Sequence, residues 1–92
     1  MTESEEMLYT RIDEVLFYQW DPIGVSTSAW ARDEYQPYLA SLFDLLISND
    51  NATAVAEYLN TVSTETMGLN LGGERDLEIA EFLLELKEVY LE

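Results

Sequence analysis

The stretch ERDLEIAEFLLELKEVYLE, residues 74–92, constrains the fold of this chain more than any other segment. Glu74, Glu78, Glu81, Glu85, Glu88 and Glu92 follow a 4-3-4-3-4 spacing. At ~100° per residue this spacing stacks all six along one line of an α-helix. Leu77, Ile79, Ala80, Phe82, Leu83, Leu84, Leu86, Val89, Tyr90 and Leu91 spread over much of the rest, an apolar arc of roughly 240°. A helix that is apolar over so wide an arc has to be covered on most sides. Either it is central, sandwiched by the remainder of the chain, or part of its arc meets a second copy, and the surplus of apolar surface favours a homodimer. Lys87 falls inside the apolar arc, so its stem is expected to run along the core and its ammonium to reach outward near the helix end.

Three further segments carry helical spacing. The first opens on TESE, where Thr2 and Glu5 form a capping box. From there to about Gln19, Leu8, Ile12, Val15 and Leu16 share a face with Tyr9 beside them, while Phe17 and Tyr18 lie off it and need a second contact. The second helix is predicted from Asp33, capped through DEYQ with Pro37 in its first turn, to about Ser48. SNDN interrupts the chain, and Asp50 or Asn51 caps a third helix with Ala52, Val55, Leu59 and Val62 on its face. Gly68 is placed as its left-handed terminator, and NLGG as a hinge before the fourth helix, Glu74 to Leu91. The expected architecture is all-α. Residues 1–92 form a single compact four-helix domain with an extended, tryptophan-anchored loop between helices 1 and 2.

That loop, WDPIGVSTSAWARDEY, raises the functional question. Asp21, Pro22 and Gly24 read as turn chemistry: an acceptor for backbone N–H groups, a preset φ and a positive φ. Trp20, Ile23, Val25 and Trp30 are too apolar for a free loop and are expected to fold over the helix ends. Arg32 is positioned to hold a carboxylate such as Asp21 or Asp33 in a bidentate pair, with Arg11 in the same network. The corner residues Trp20, Asp21, Trp30, Asp33, Glu34 and Tyr35 make a candidate docking surface. Asp21, Asp33 and Glu34 could also hold Mg²⁺ or Ca²⁺ or act as general acid and base. Their spacing matches no calcium-binding loop, so neither a metal site nor a catalytic residue is assigned.

The chemistry is bounded by what the chain lacks. It has no histidine and no cysteine, which excludes Ser-His and Cys-His catalysis, disulfides and thiolate-held metals. No cofactor is expected and the reading is non-enzymatic. The opening MTESEEM is acidic and lacks the apolar run of a secretory leader. No segment approaches the ~20 apolar residues that span a bilayer, so a cytoplasmic protein is expected. Nineteen acids against four bases give a formal charge of −15. Such a surface repels nucleic acid and anionic membranes and attracts basic proteins. The row of glutamates is then either the solvated edge that a greasy helix requires or a template for Lys and Arg on a partner.

LFYQWDPIGV followed by RDEYQPYLASLFDLL resembles the YugE-like family of small bacterial helical proteins of unassigned function, with WDP as the most specific part, over about Met7 to Ile47. Gln36 and Pro37 stand where that pattern leads one to expect an acid. The resemblance implies a compact helical bacterial protein and carries no activity. Three functions follow as expectations: an acidic interaction module that binds a basic protein in the manner of an immunity or inhibitor protein, a homodimeric structural or regulatory protein, and a carboxylate-based divalent-cation binder.

Overall fold

The computed structural model describes residues 2–21, 24, 26, 31–66, 68 and 74–91. Four α-helices account for most of them: α1 (Glu3–Val15), α2 (Gln36–Ser48), α3 (Ala52–Thr61) and α4 (Glu74–Leu91). There is no strand among the described residues. The radius of gyration is 12.5 Å, against about 12 Å expected for a compact chain of this length. No described helix is long and apolar enough to cross a membrane.

α1 starts where its capping box places it. Thr2 Oγ1 accepts from Glu5 N–H at 3.1 Å, and Glu5 Oε1 accepts from Thr2 N–H at 2.8 Å. The Thr2 backbone N–H holds the Glu5 carboxyl below the usual carboxylate range. The helix buries Leu8, Ile12 and Val15. It then widens into a π turn over Leu16–Trp20, closed by Asp21 N–H donating to Leu16 O at 2.9 Å. A π turn advances each residue by a smaller angle than an α-helix does. Phe17 and Trp20 therefore join Leu16 inside the core, each no more than 2% exposed. Periodicity drawn for a regular helix leaves Phe17 off the face, and the wider turn supplies the contact it needs.

α2 begins three residues later than expected. Asp33 is no N-cap. Residues 31–36 form successive tight turns, with Ala31 O accepting from Glu34 N–H and Asp33 O from Gln36 N–H. Tyr35 occupies the cap position, where its side chain does not cap the helix, and Pro37 lies in the first turn. α3 is capped by Asn51, whose Oδ1 accepts from Thr53 N–H at 2.9 Å. It also ends in a π turn, Val62–Thr66. There the Ser63 and Thr64 hydroxyls donate to Asn60 O at 3.1 and 2.7 Å, diverting that carbonyl from the helical ladder. Gly68 has φ 70°, the left-handed conformation expected of a terminator. The NLGG hinge, residues 70–73, lies outside the described residues.

α4 is the central helix. It packs mainly on α3 and α1 and also touches α2. Ile79, Ala80 and Leu83 are buried, while Phe82, Leu84, Leu86, Tyr90 and Leu91 lie partly buried against the core. Much of the wide apolar arc is thus covered from within the chain, and Leu77 and Val89 stay exposed. Lys87 reaches across to the end of α2, where its Nζ donates to Asn49 O at 3.1 Å and to Asp50 Oδ1 at 2.9 Å.

Candidate functional site: the corner and the acidic face

The corner is built around Trp20 and Tyr35. Both belong to the candidate docking surface read from sequence, and both are instead interior, each 1% exposed. Their rings meet edge to face at 5.4 Å, and Phe17 lies 6.4 Å from Tyr35. Asp21 is half-buried beside them. It adopts a left-handed conformation (φ 31°, ψ 61°), which Asp tolerates better than most residues. Its Oδ1 accepts from Tyr35 Oη–H at 2.6 Å, and its Oδ2 accepts from Ser26 N–H at 3.0 Å. Asp21 O accepts from Gly24 N–H at 3.2 Å, with Gly24 at φ 69°. The turn chemistry expected of Asp21 and Gly24 is present, Pro22 lies outside the described residues, and the Asp21 carboxylate ties the turn to Tyr35 of the core.

Asp33 and Glu34 are exposed. Trp30, like Ile23 and Val25, lies outside the described residues. Among the described residues no three carboxylates gather closely enough to hold a metal ion.

Arg32 does not pair with Asp21 or Asp33. It makes a two-pronged bond to Asp13 of α1, Nη1 to Oδ1 at 3.2 Å and Nη2 to Oδ2 at 3.1 Å. Its guanidinium also lies over the rings of Phe17 and Tyr18, 4.8 and 5.4 Å from their centres. The bonds to Asp13 hold the Arg32 guanidinium above its ordinary pKa. Arg11 is outside this network and pairs with Glu14 one turn along, at 2.9 Å.

Two residues at the start of α4 complete the corner. Arg75 Nε and Nη2 donate to Trp20 O at 3.2 and 3.0 Å, and Nη2 also donates to Gln19 O. The guanidinium thus caps the open carbonyls at the end of the π turn. The neighbouring Asp76 is buried, 3% exposed. Its Oδ1 accepts from the Trp20 indole N–H at 2.9 Å and its Oδ2 from Asn60 Nδ2 at 3.3 Å. The sequence reading missed this carboxylate. The available signal is that Asp76, Ala80 and Leu83 share one face at i, i+4 and i+7, placing an acid on the buried side of α4.

The acidic face is the second feature. Glu74, Glu78, Glu81, Glu85 and Glu88 are all exposed along α4, as their spacing requires, and Glu92 lies outside the described residues. The chain has four bases, and each is engaged elsewhere. Arg11 holds Glu14, Arg32 holds Asp13, Arg75 caps the π turn, and Lys87 holds Asp50 and Asn49 O.

Comparison with protein-family models, with curated proteins and with solved structures found no match.

Proposed function

We propose that this chain is a non-enzymatic interaction module whose acidic face engages a basic protein, in the manner of an immunity or inhibitor protein. The observation that carries this reading is the engagement of all four bases away from the α4 glutamates. The exposed α4 glutamates then set up an outward field, with the four Lys and Arg side chains all held elsewhere. Such a field accelerates association with an opposite charge and loses strength as salt is added. The first-half resemblance to the YugE-like family is compatible with a small helical binding protein and names no reaction.

The test is capture of a basic protein from the native host at low salt, repeated with the fourfold variant E78Q/E81Q/E85Q/E88Q. Binding that falls steeply with ionic strength and disappears in the variant supports the reading. Salt-insensitive binding, or equal capture by the variant, removes it.

A second reading is a homodimer closed across the outer edge of α4. It is favoured by the exposure of Val89, 74%. Leu83 is unsuited to testing it, because it is fully buried in the chain's own core. Sedimentation of the native chain and of Val89→Lys decides the matter: a monomer at high concentration excludes the dimer.

A further inference from the structure

The geometry points to a particular class of partner: a basic amphipathic helix seated in the groove between α3 and α4. This inference rests on the acidic-module reading above and names the chemistry of the ligand. The groove measures about 520 Å³ and is lined by Thr53, Ala56, Glu57, Asn60 and Thr61 of α3 and by Leu77 of α4. The α3 residues recur at i, i+3, i+4, i+7 and i+8 and so present one continuous face along the helix. Leu77 forms the opposite bank, exposed to 39%, with Glu74 and Glu81 as its helical neighbours at i−3 and i+4. Glu57 is exposed on the facing bank. The groove therefore brings two apolar side chains, Ala56 and Leu77, together among polar ones, with acidic residues on both banks.

The apolar face of an amphipathic helix can rest on this pair while its polar flanks meet the surrounding side chains. Lysines or arginines on either side of its apolar face would meet Glu57 on one rim and Glu74 and Glu81 on the other. A second copy of this chain is a poor occupant. It brings a charge of −15 against −15, and its own four bases are engaged internally. Nucleic acid and other polyanions meet the same repulsion.

The test uses a Leu/Lys peptide of about 18 residues, five helical turns, with leucines at helical spacing. Its controls are an isomer of the same composition in scrambled order and an oligolysine of equal charge. Binding is measured by titration, and the site by amide NMR shifts. The amphipathic peptide is expected to bind most tightly and to shift Ala56, Thr61 and Leu77. Leu77→Gln should weaken that peptide by about tenfold and leave oligolysine binding unchanged. Thr53→Trp, at an exposed position, fills the groove without altering charge and should have the same selective effect. If the scrambled isomer binds as well, or if both variants leave the amphipathic peptide unaffected, the groove proposal fails while the charge-based reading stands. If no cationic peptide binds, both fail. Self-association that shifts the same three amides assigns the groove to a second copy and overturns the proposal.

Discussion

Asp76 is the side chain whose surroundings matter most for its size. A carboxylate removed from water relies on the donors the fold supplies, here the Trp20 indole and the Asn60 amide. Trp20→Phe keeps an aromatic ring but removes the first donor. It should cost about 1–3 kcal/mol for the unsatisfied carboxylate oxygen, in addition to the packing lost where the smaller ring leaves a cavity, measured by urea unfolding. The penalty should shrink when Asp76 is also replaced by Ala, which removes the acceptor, and the non-additivity isolates the bond. Tyr58 supplies a second residue-scale prediction. Its hydroxyl donates to Tyr38 O at 3.2 Å, tying α3 to α2, and burial pushes its pKa above the ordinary value. The folded state therefore keeps its proton where the unfolded chain has begun to lose it. Stability linked to Tyr58 is complete below about pH 10 and falls as pH rises through the folded pKa. Tyr58→Phe should flatten that alkaline decline in thermal unfolding. Glu5 acts at the acid end with the opposite sign. Its lowered pKa contributes stability above the usual carboxylate range, and this is lost as pH falls through the folded value.

Among the elements, α4 carries the most legible sequence pattern. Its bounds and its exposed glutamates follow from spacing, because helical burial is decided by residues three and four apart, whereas its central position is one of two alternatives that the spacing leaves open. The capping box at Thr2 is legible for the same local reason, and the cap of α3 is legible as Asp50 or Asn51, of which the structure uses Asn51. Asn51→Ala should cost about 1 kcal/mol. The π turns were not legible. They depend on where Trp20 and Ser63 find their neighbours, which no periodicity records. The start of α2 was misread because DEYQ has the composition of a cap, yet the Tyr35 side chain is drawn inward to Asp21 and Trp20. Arg32 was read correctly as a two-pronged clamp and assigned to the wrong acid, since Asp13 lies nineteen positions away. Along α4, neighbouring glutamates repel at every step. E78Q/E81Q/E85Q/E88Q should therefore stabilise the chain by roughly 1–2 kcal/mol at low salt. The gain should vanish near ~1 M salt, where the Debye length is ~3 Å. Differential scanning calorimetry at the two ionic strengths reads both effects.

At the scale of the whole molecule, the corner joins the two ends of the chain. Trp20 and Arg75 stand 55 positions apart and are fastened backbone to side chain, beside the Trp20–Asp76 bond. Long-range pairings of this kind fall outside any local pattern, which is why the corner read as a surface and folds as a joint. Arg75→Gln should loosen that joint. Hydrogen exchange would then speed up at Trp20 and Asp21 and in the first turn of α4, with α2 unaffected. The placement of the four cations has one more consequence. Trypsin cuts after lysine or arginine and needs an extended strand at the bond. This chain offers it Arg11 and Lys87 within helices, Arg75 in a helix's first turn, and Arg32 clamped to Asp13. The folded protein should resist digestion, so that cleavage proceeds through opened forms; at protease concentrations where cutting outpaces reclosing, a time course becomes a clock for how often this small acidic bundle comes apart.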